Sequence, residues 1–213
     1  MTQIVIPLFP NFTALDGIGP YEVLQRVPDF HITFIGHERG VVRSDNSMLG
    51  IEIDGTFEDH PRPDIIVFPG GVGTRPLMHD DRVLDWVRTA HETTTFTTSV
   101  CTGSLVLGGA GLLDGLTATT HWSCYDALEK TGAIPVAERV VEHLDRRIIT
   151  AAGVSSGIDM ALRLTELLVD DTAAMAMQLM VEYDPQPPFD SGSFAKSSDA
   201  VITRCAEYSA LRQ

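Results

Sequence analysis

Basic residues are scarce in this chain: 15 Lys and Arg stand against 29 Asp and Glu over 213 residues, a formal net charge of −14. So acidic a surface repels phosphate backbones and anionic headgroups, which excludes non-specific binding to nucleic acid or membrane. Long apolar runs are also missing, and none approaches the roughly 20 residues of a bilayer span. The opening MTQIVIPLF has neither a basic n-region nor a small-residue cleavage site, so a soluble, unexported, cytoplasmic protein is expected. Cysteine is limited to Cys101, Cys124 and Cys205. An odd number without ligand spacing excludes a disulfide framework, implies no metal and fits a reducing compartment. There is no internal repeat, low-complexity linker or composition break, so residues 1–213 are expected to form one domain.

What is present is a repeated strand-then-helix pattern. Residues 3–9 (QIVIPLF), 30–36 (FHITFIG), 64–68 (DIIVF) and 93–100 (TTTFTTSV) read as strands, and residues 41–53 as a small hairpin around Asp45 and Asn46. Helices are expected over LDGIGPYEVLQRV, over residues 80–91 with Val83, Leu84 and Val87 inward, over 102–113 and over 123–130. Two more strands, 139–143 and 147–151, precede a helix in GVSSGIDMALRLTELLVD, capped by Ser155 or Ser156, with Met160, Leu164, Leu167 and Leu168 facing the core. A helix over 172–183 presents Met175, Leu179 and Met180 as core filler, and DPQPPFDSG runs extended to a last helix, 198–211. Strands too continuously apolar to be half exposed imply an α/β fold, a mostly parallel sheet sandwiched by helices.

Cys101 falls where the strand 93–100 turns directly into a helix, a cysteine version of the nucleophile elbow. Unpaired N–H groups and the positive end of the helix dipole would favour thiolate there. Asp16 lies just past the end of the first strand, where ligands of open α/β sheets bind, although a carboxylate at a helix start also serves as a cap. Gly70 and Gly71 follow the strand 64–68 and could bring backbone N–H groups to an anion; without the lysine and hydroxyl of a P-loop they also suit a plain turn. His121, in ATTHW, is the best-placed histidine and could be structural or stand behind the reacting groups. Cys124 and Cys205 lie on expected helices without polar company and read as packing residues. Thr102, not a histidine, follows Cys101, so no local base of the Cys-His type adjoins the thiol.

The PGG at Gly70 and Gly71 and the run SVCTGSLVLGGAGLLDG followed by ATTHW resemble the ThiJ/PfpI superfamily. That superfamily includes parkinsonism-associated deglycases, intracellular proteases and class I glutamine-amidotransferase-like domains. LFPNFTALDGIGPYEVL, IPVAERVV, GVSSGIDMAL and VEYDPQPPFDSGS are similar to its isocyanide hydratase branch, so the resemblance spans nearly the whole chain. It implies a flavodoxin-like homodimer that needs no metal or organic cofactor and hydrates an isocyanide, R–N≡C, to an N-formamide. Cys101 would be the nucleophile, forming a thioimidate, and Asp16 its acid/base partner; Thr102, Gly71 and Gly70 would orient the sulfur and the developing charge. Superfamily proteases carry histidine after the cysteine, which Thr102 replaces. Ligand-sensing domains of AraC-type regulators share SVCTG and ATTHW but continue into a DNA-binding module, whereas this sequence stops at Gln213. A glyoxalase, deglycase or redox-sensing role for Cys101 stays open.

Overall fold

The first strand, β1 (Thr2–Pro7), is buried from Ile4 onward and leads into α1 (Ala14–Leu24). The chain continues through β2 (Phe30–Gly36), the hairpin β3 (Gly40–Arg43) and β4 (Gly50–Ile53), the two-residue β5 (Gly55–Thr56) and β6 (Ile65–Phe68). A single turn, α2 (Thr74–Leu77), and α3 (Asp81–His91) bring it to β7 (Phe96–Val100) and α4 (Gly103–Gly109). Then come β8 (Thr117–Ala118), α5 (Tyr125–Glu129), β9 (Ile134–Pro135), β10 (Val140–His143), β11 (Ile148–Ala151), α6 (Ser156–Leu168), α7 (Asp171–Met180) and α8 (Asp199–Ala210). This is a computed structural model that describes residues 1–211.

Seven strands form the main sheet in the order β10-β11-β7-β6-β1-β2-β5. Every pairing is parallel except that of β10 with β11. All four residues of β6 are 0% exposed, which only helices on both faces can achieve; burying each contributes about 1.5–3 kcal/mol. One layer holds α1, α6 and α7, and the other α2, α3, α4 and α5. β7 is buried yet polar, and its two threonine hydroxyls have partners: Thr98 Oγ1 donates to Ile66 O, and Thr97 Oγ1 meets His91 Nδ1 and Thr94 Oγ1, whereas the buried Ser99 hydroxyl makes no hydrogen bond. From β1 the chain moves outward in one direction to β2 and β5, then in the other to β6, β7 and β11. The reversal falls between β1 and β6, the place where open α/β sheets bind ligands.

The chain divides into two compact units, Met1–Val181 and a second that begins at Glu182. In the second, Ser191 Oγ meets Ser197 Oγ at 2.9 Å, Lys196 pairs with Asp190, and no residue of α8 is buried. No helix among the described residues is long and apolar enough to cross a membrane.

The parallel sheet and the hairpin form as the sequence indicates, but several local expectations fail. The helix after Cys101 ends at Gly109 because Gly108, Gly109 and Gly111 interrupt it. On α7, Met175, Leu179 and Met180 face outward at 59%, 77% and 59% exposure, and Met177 is the residue that enters the core. The spacing was right and the face wrong. Cys205 is exposed, not packed. Ser155 does hold the N-cap position of α6, but its side chain makes no cap hydrogen bond; Ser155 Oγ accepts from Arg139, and Ser156 Oγ donates to Gly153 O.

Candidate active site

Three crossovers end at the same edge of the sheet, around the reversal point. Asp16 sits in the first turn of α1, after β1; Gly70 and Gly71 follow β6; Cys101 follows β7. The two loops that flank the reversal are tied together, since Thr13 N–H donates to Gly70 O at 2.9 Å and Phe12 bridges to Gly71.

Cys101 adopts φ +56°, a left-handed conformation that a side chain rarely takes. The turn is held in several places. Cys101 N–H donates to Ala151 O at 2.9 Å, and the hydroxyls of Thr120 and Ser104 donate to Cys101 O at 3.0 and 3.1 Å. Such anchoring offsets a backbone strain of about 1–3 kcal/mol.

Asp16 is 0% exposed. It does not cap α1, whose N-cap is Thr13; instead its Oδ2 accepts the Gly70 N–H at 3.0 Å. Oδ1 is buried with no hydrogen bond made. The Cys101 thiol reaches the carboxyl closely enough to donate toward it, without completing a well-aligned bond. Burial drives the Asp16 carboxyl up from 3.8 to about 7, against the lowering effect of the thiol and the Gly70 N–H.

The thiol is also pushed up, well above its ordinary value, by burial first and then by the Asp16 charge, although the Thr102 N–H works the other way. Helix-dipole activation of a free thiolate is therefore not what the site provides. With only seven residues in α4, the dipole is outweighed by burial and by a neighbouring carboxylate. Sulfur and carboxyl form a coupled pair, and at neutral pH the S–H···⁻OOC form and its tautomer S⁻···HOOC contain the same proton.

The glycine N–H groups have work inside the protein. Gly70 N–H serves Asp16, and Gly71 N–H donates to Thr102 Oγ1 at 2.9 Å. A Cβ at Gly70 would lie 2.5 Å from Thr102 N and 2.8 Å from Asp16 Oδ2, so only glycine fits between Thr102 and the carboxyl. Gly71 has φ +131°, and a Cβ there would stand 2.4 Å from Asn11 O. Thr102 is further held by Thr74, whose Oγ1 lies 3.2 Å from Thr102 Oγ1 and donates to Gly71 O at 2.7 Å.

His121 is half-buried, and its Nδ1 lies 2.8 Å from Ser123 Oγ and accepts the Ser123 N–H, capping a 3-10 turn at Trp122–Cys124. Burial, then the charge of Arg75, lower its pKa. Its ring nonetheless reaches the site: a Cβ on Gly153 would meet both His121 Cδ2, at 2.5 Å, and Cys101 Sγ, at 3.1 Å. Gly153 and Arg75 had no sequence signal, one lying in a helix approach and the other in a four-residue helix containing proline. Cys124 is buried but has polar company, since Arg75 Nη2 donates to its Sγ at 3.1 Å.

A parallel α/β sheet that gathers a strained cysteine, a buried carboxyl and a glycine pair at its reversal point defines a candidate α/β site of the strand-end class. The family model described as DJ-1/PfpI matches residues 2–167, and the chain belongs to that family. It is 46% identical over 200 residues to the isonitrile hydratase of Pseudomonas putida, covering 94% of this chain and 86% of that protein. The transcriptional regulator CdhR of Pseudomonas aeruginosa is 29% identical over 74% of this chain, which corresponds to 48% of its own length. Among solved structures, a ThiJ/PfpI family protein from Pseudomonas syringae superposes with a TM-score of 0.91 at 38% identity, covering 98% of this chain and 86% of that one. Drosophila melanogaster DJ-1beta, at 20% identity and a TM-score of 0.75, shares the fold.

Proposed function

We propose that this chain hydrates isocyanides to N-formamides, with Cys101 as nucleophile and Asp16 as the group that moves the protons. The observation that carries the reading is the Asp16 carboxyl, buried against the thiol and raised to about 7. A proton carrier with that pKa gives and takes protons with equal ease near neutrality. The Pseudomonas putida isonitrile hydratase, 46% identical, supports the substrate class.

The Cys101 sulfur bonds to the terminal isocyanide carbon while its proton passes through Asp16 to that carbon, giving the thioimidate R–N=CH–S. Water then attacks the same carbon; Asp16 takes one of its protons and delivers it to nitrogen. Collapse of R–NH–CH(OH)–S breaks the C–S bond, and the hydroxyl proton returns through Asp16 to sulfur. The products are R–NH–CHO and the free thiol, so one water is consumed and no cofactor is needed. Thr102, through its N–H, and Gly70, through Asp16, orient the pair. Gly71 acts at one remove by holding Thr102, and His121 lines the site as a neutral ring.

A cytoplasmic location and assembly as a homodimer belong to the same reading, the assembly supported by the exposed apolar face of α7. The test is formamide production from a panel of alkyl and aryl isocyanides, with Cys101→Ala as control. Turnover by the wild type and none by the variant is expected; equal turnover by both would remove Cys101 from the chemistry.

A further inference from the structure

Arg75 is bonded unlike most arginines of this chain. Those at 26, 39, 82, 88, 139, 163 and 204 each meet a carboxylate. Arg75 instead donates from Nη1 to Thr74 Oγ1 at 2.9 Å and from Nη2 to Cys124 Sγ at 3.1 Å, and neither partner is a carboxylate. A guanidinium has five N–H donors in a planar fork. Two contacts clamp it, the residue is exposed, and donors are left over.

Its two partners lead back to the nucleophile by separate routes. On one side Thr74 Oγ1 lies 3.2 Å from the hydroxyl of Thr102, the residue after Cys101. On the other, Cys124 Sγ is 3.5 Å from Ser123 Oγ, which is 2.8 Å from His121 Nδ1, and the His121 ring shares Gly153 with Cys101 Sγ. The guanidinium thus joins two chains of contacts, one ending at Thr102 beside Cys101 and the other at the His121 ring, which flanks Gly153 together with the sulfur. The charge setting matters as well. The chain carries a net −14, and an anionic substrate would enter against that field. Arg75 is a cation set against that field, and its charge is felt at the His121 ring beside Cys101.

We propose that Arg75 is a specificity-determining residue that selects isocyanides bearing a carboxylate, binding the carboxylate in its free fork while the isocyanide carbon meets Cys101. The inference rests on the hydratase reading. Guanidinium and carboxylate match in plane and spacing, and the charge-assisted bonds are strong enough to set a preference of about ten-fold.

The experiment compares isocyanoacetate with its neutral methyl ester, of nearly the same size, for the wild type, Arg75→Gln and Arg75→Lys, reading kcat and KM separately. The wild type is expected to favour the anion about ten-fold in kcat/KM, mainly through KM, with the preference shrinking as salt is added. Arg75→Gln should lose the preference and Arg75→Lys retain part of it. A residue that merely ties α2 to the Cys124 turn would lower both substrates together and leave their ratio alone. Turnover of the ester with no preference for the anion, or a ratio unmoved in Arg75→Gln, overturns the Arg75 assignment and leaves the hydratase reading standing. No formamide from either compound, or from cyclohexyl isocyanide, overturns both.

Discussion

Replacing Asp16 with Asn should stabilise the protein at pH 8 while removing its activity. The folded carboxyl titrates at about 7 and the unfolded one at 3.8, so between those values the folded state holds more protons than the unfolded. Stability therefore falls as pH rises from 3.8 to about 7 and loses nothing further from this group beyond it. A gap of about three units corresponds to roughly 4 kcal/mol as an upper bound. Asn removes that cost but leaves a buried amide donor poorly matched to the thiol, at about 1–3 kcal/mol. The net expectation is a gain of about 1–3 kcal/mol at pH 8 that disappears, or reverses, at pH 4. Urea titrations of both proteins at the two pH values measure it. A variant less stable than wild type by the same amount at pH 4 and pH 8 would refute a desolvated, strained carboxyl at this position.

Other consequences follow from the same geometry. The active form holds one proton between Cys101 and Asp16, so kcat/KM should fall as pH drops through about 7, and the pH–rate profile should show no second acid limb near the ordinary carboxylate range. Thr102→Val strands the buried Gly71 N–H and should cost about 1–3 kcal/mol in denaturant titration, with a loss in kcat. Gly70→Ala drives a Cβ between Thr102 N and Asp16 Oδ2, so turnover should fall about 100-fold, more than for an alanine at the open Gly192.

Much of this site was readable from the chain because its parts are punctuated locally. The β-rich run before Cys101 and the small residues after it announce a strand-to-helix turn, and Asp16 and Gly70 each follow an apolar strand. The pairing between them was not readable. Gly70 N–H and Asp16 Oδ2 are 54 positions apart, and nothing in PGG distinguishes an N–H aimed at a ligand from one spent on a neighbouring side chain. The thiol's ionisation is hidden for a related reason: helix position is a local property, whereas burial and the Asp16 charge come from the assembled fold. On α7 the 3.6-residue period marks an apolar stripe without saying which face the core takes, and Met177 rather than Met175 is inside. β5, β8 and β9, two residues each, are too short to leave a periodic signal.

The central claim is that Cys101 bonds to the isocyanide carbon with a proton supplied through Asp16. Intact-protein mass spectrometry of Asp16→Asn mixed with excess cyclohexyl isocyanide and quenched early tests it most directly, against wild type and Cys101→Ala. The expected result is an adduct equal to the mass of the isocyanide on Cys101, brief in wild type, slow to form or to clear in Asp16→Asn, and absent from Cys101→Ala. Formamide release without any adduct on Cys101, and continuing in Cys101→Ala, would contradict it.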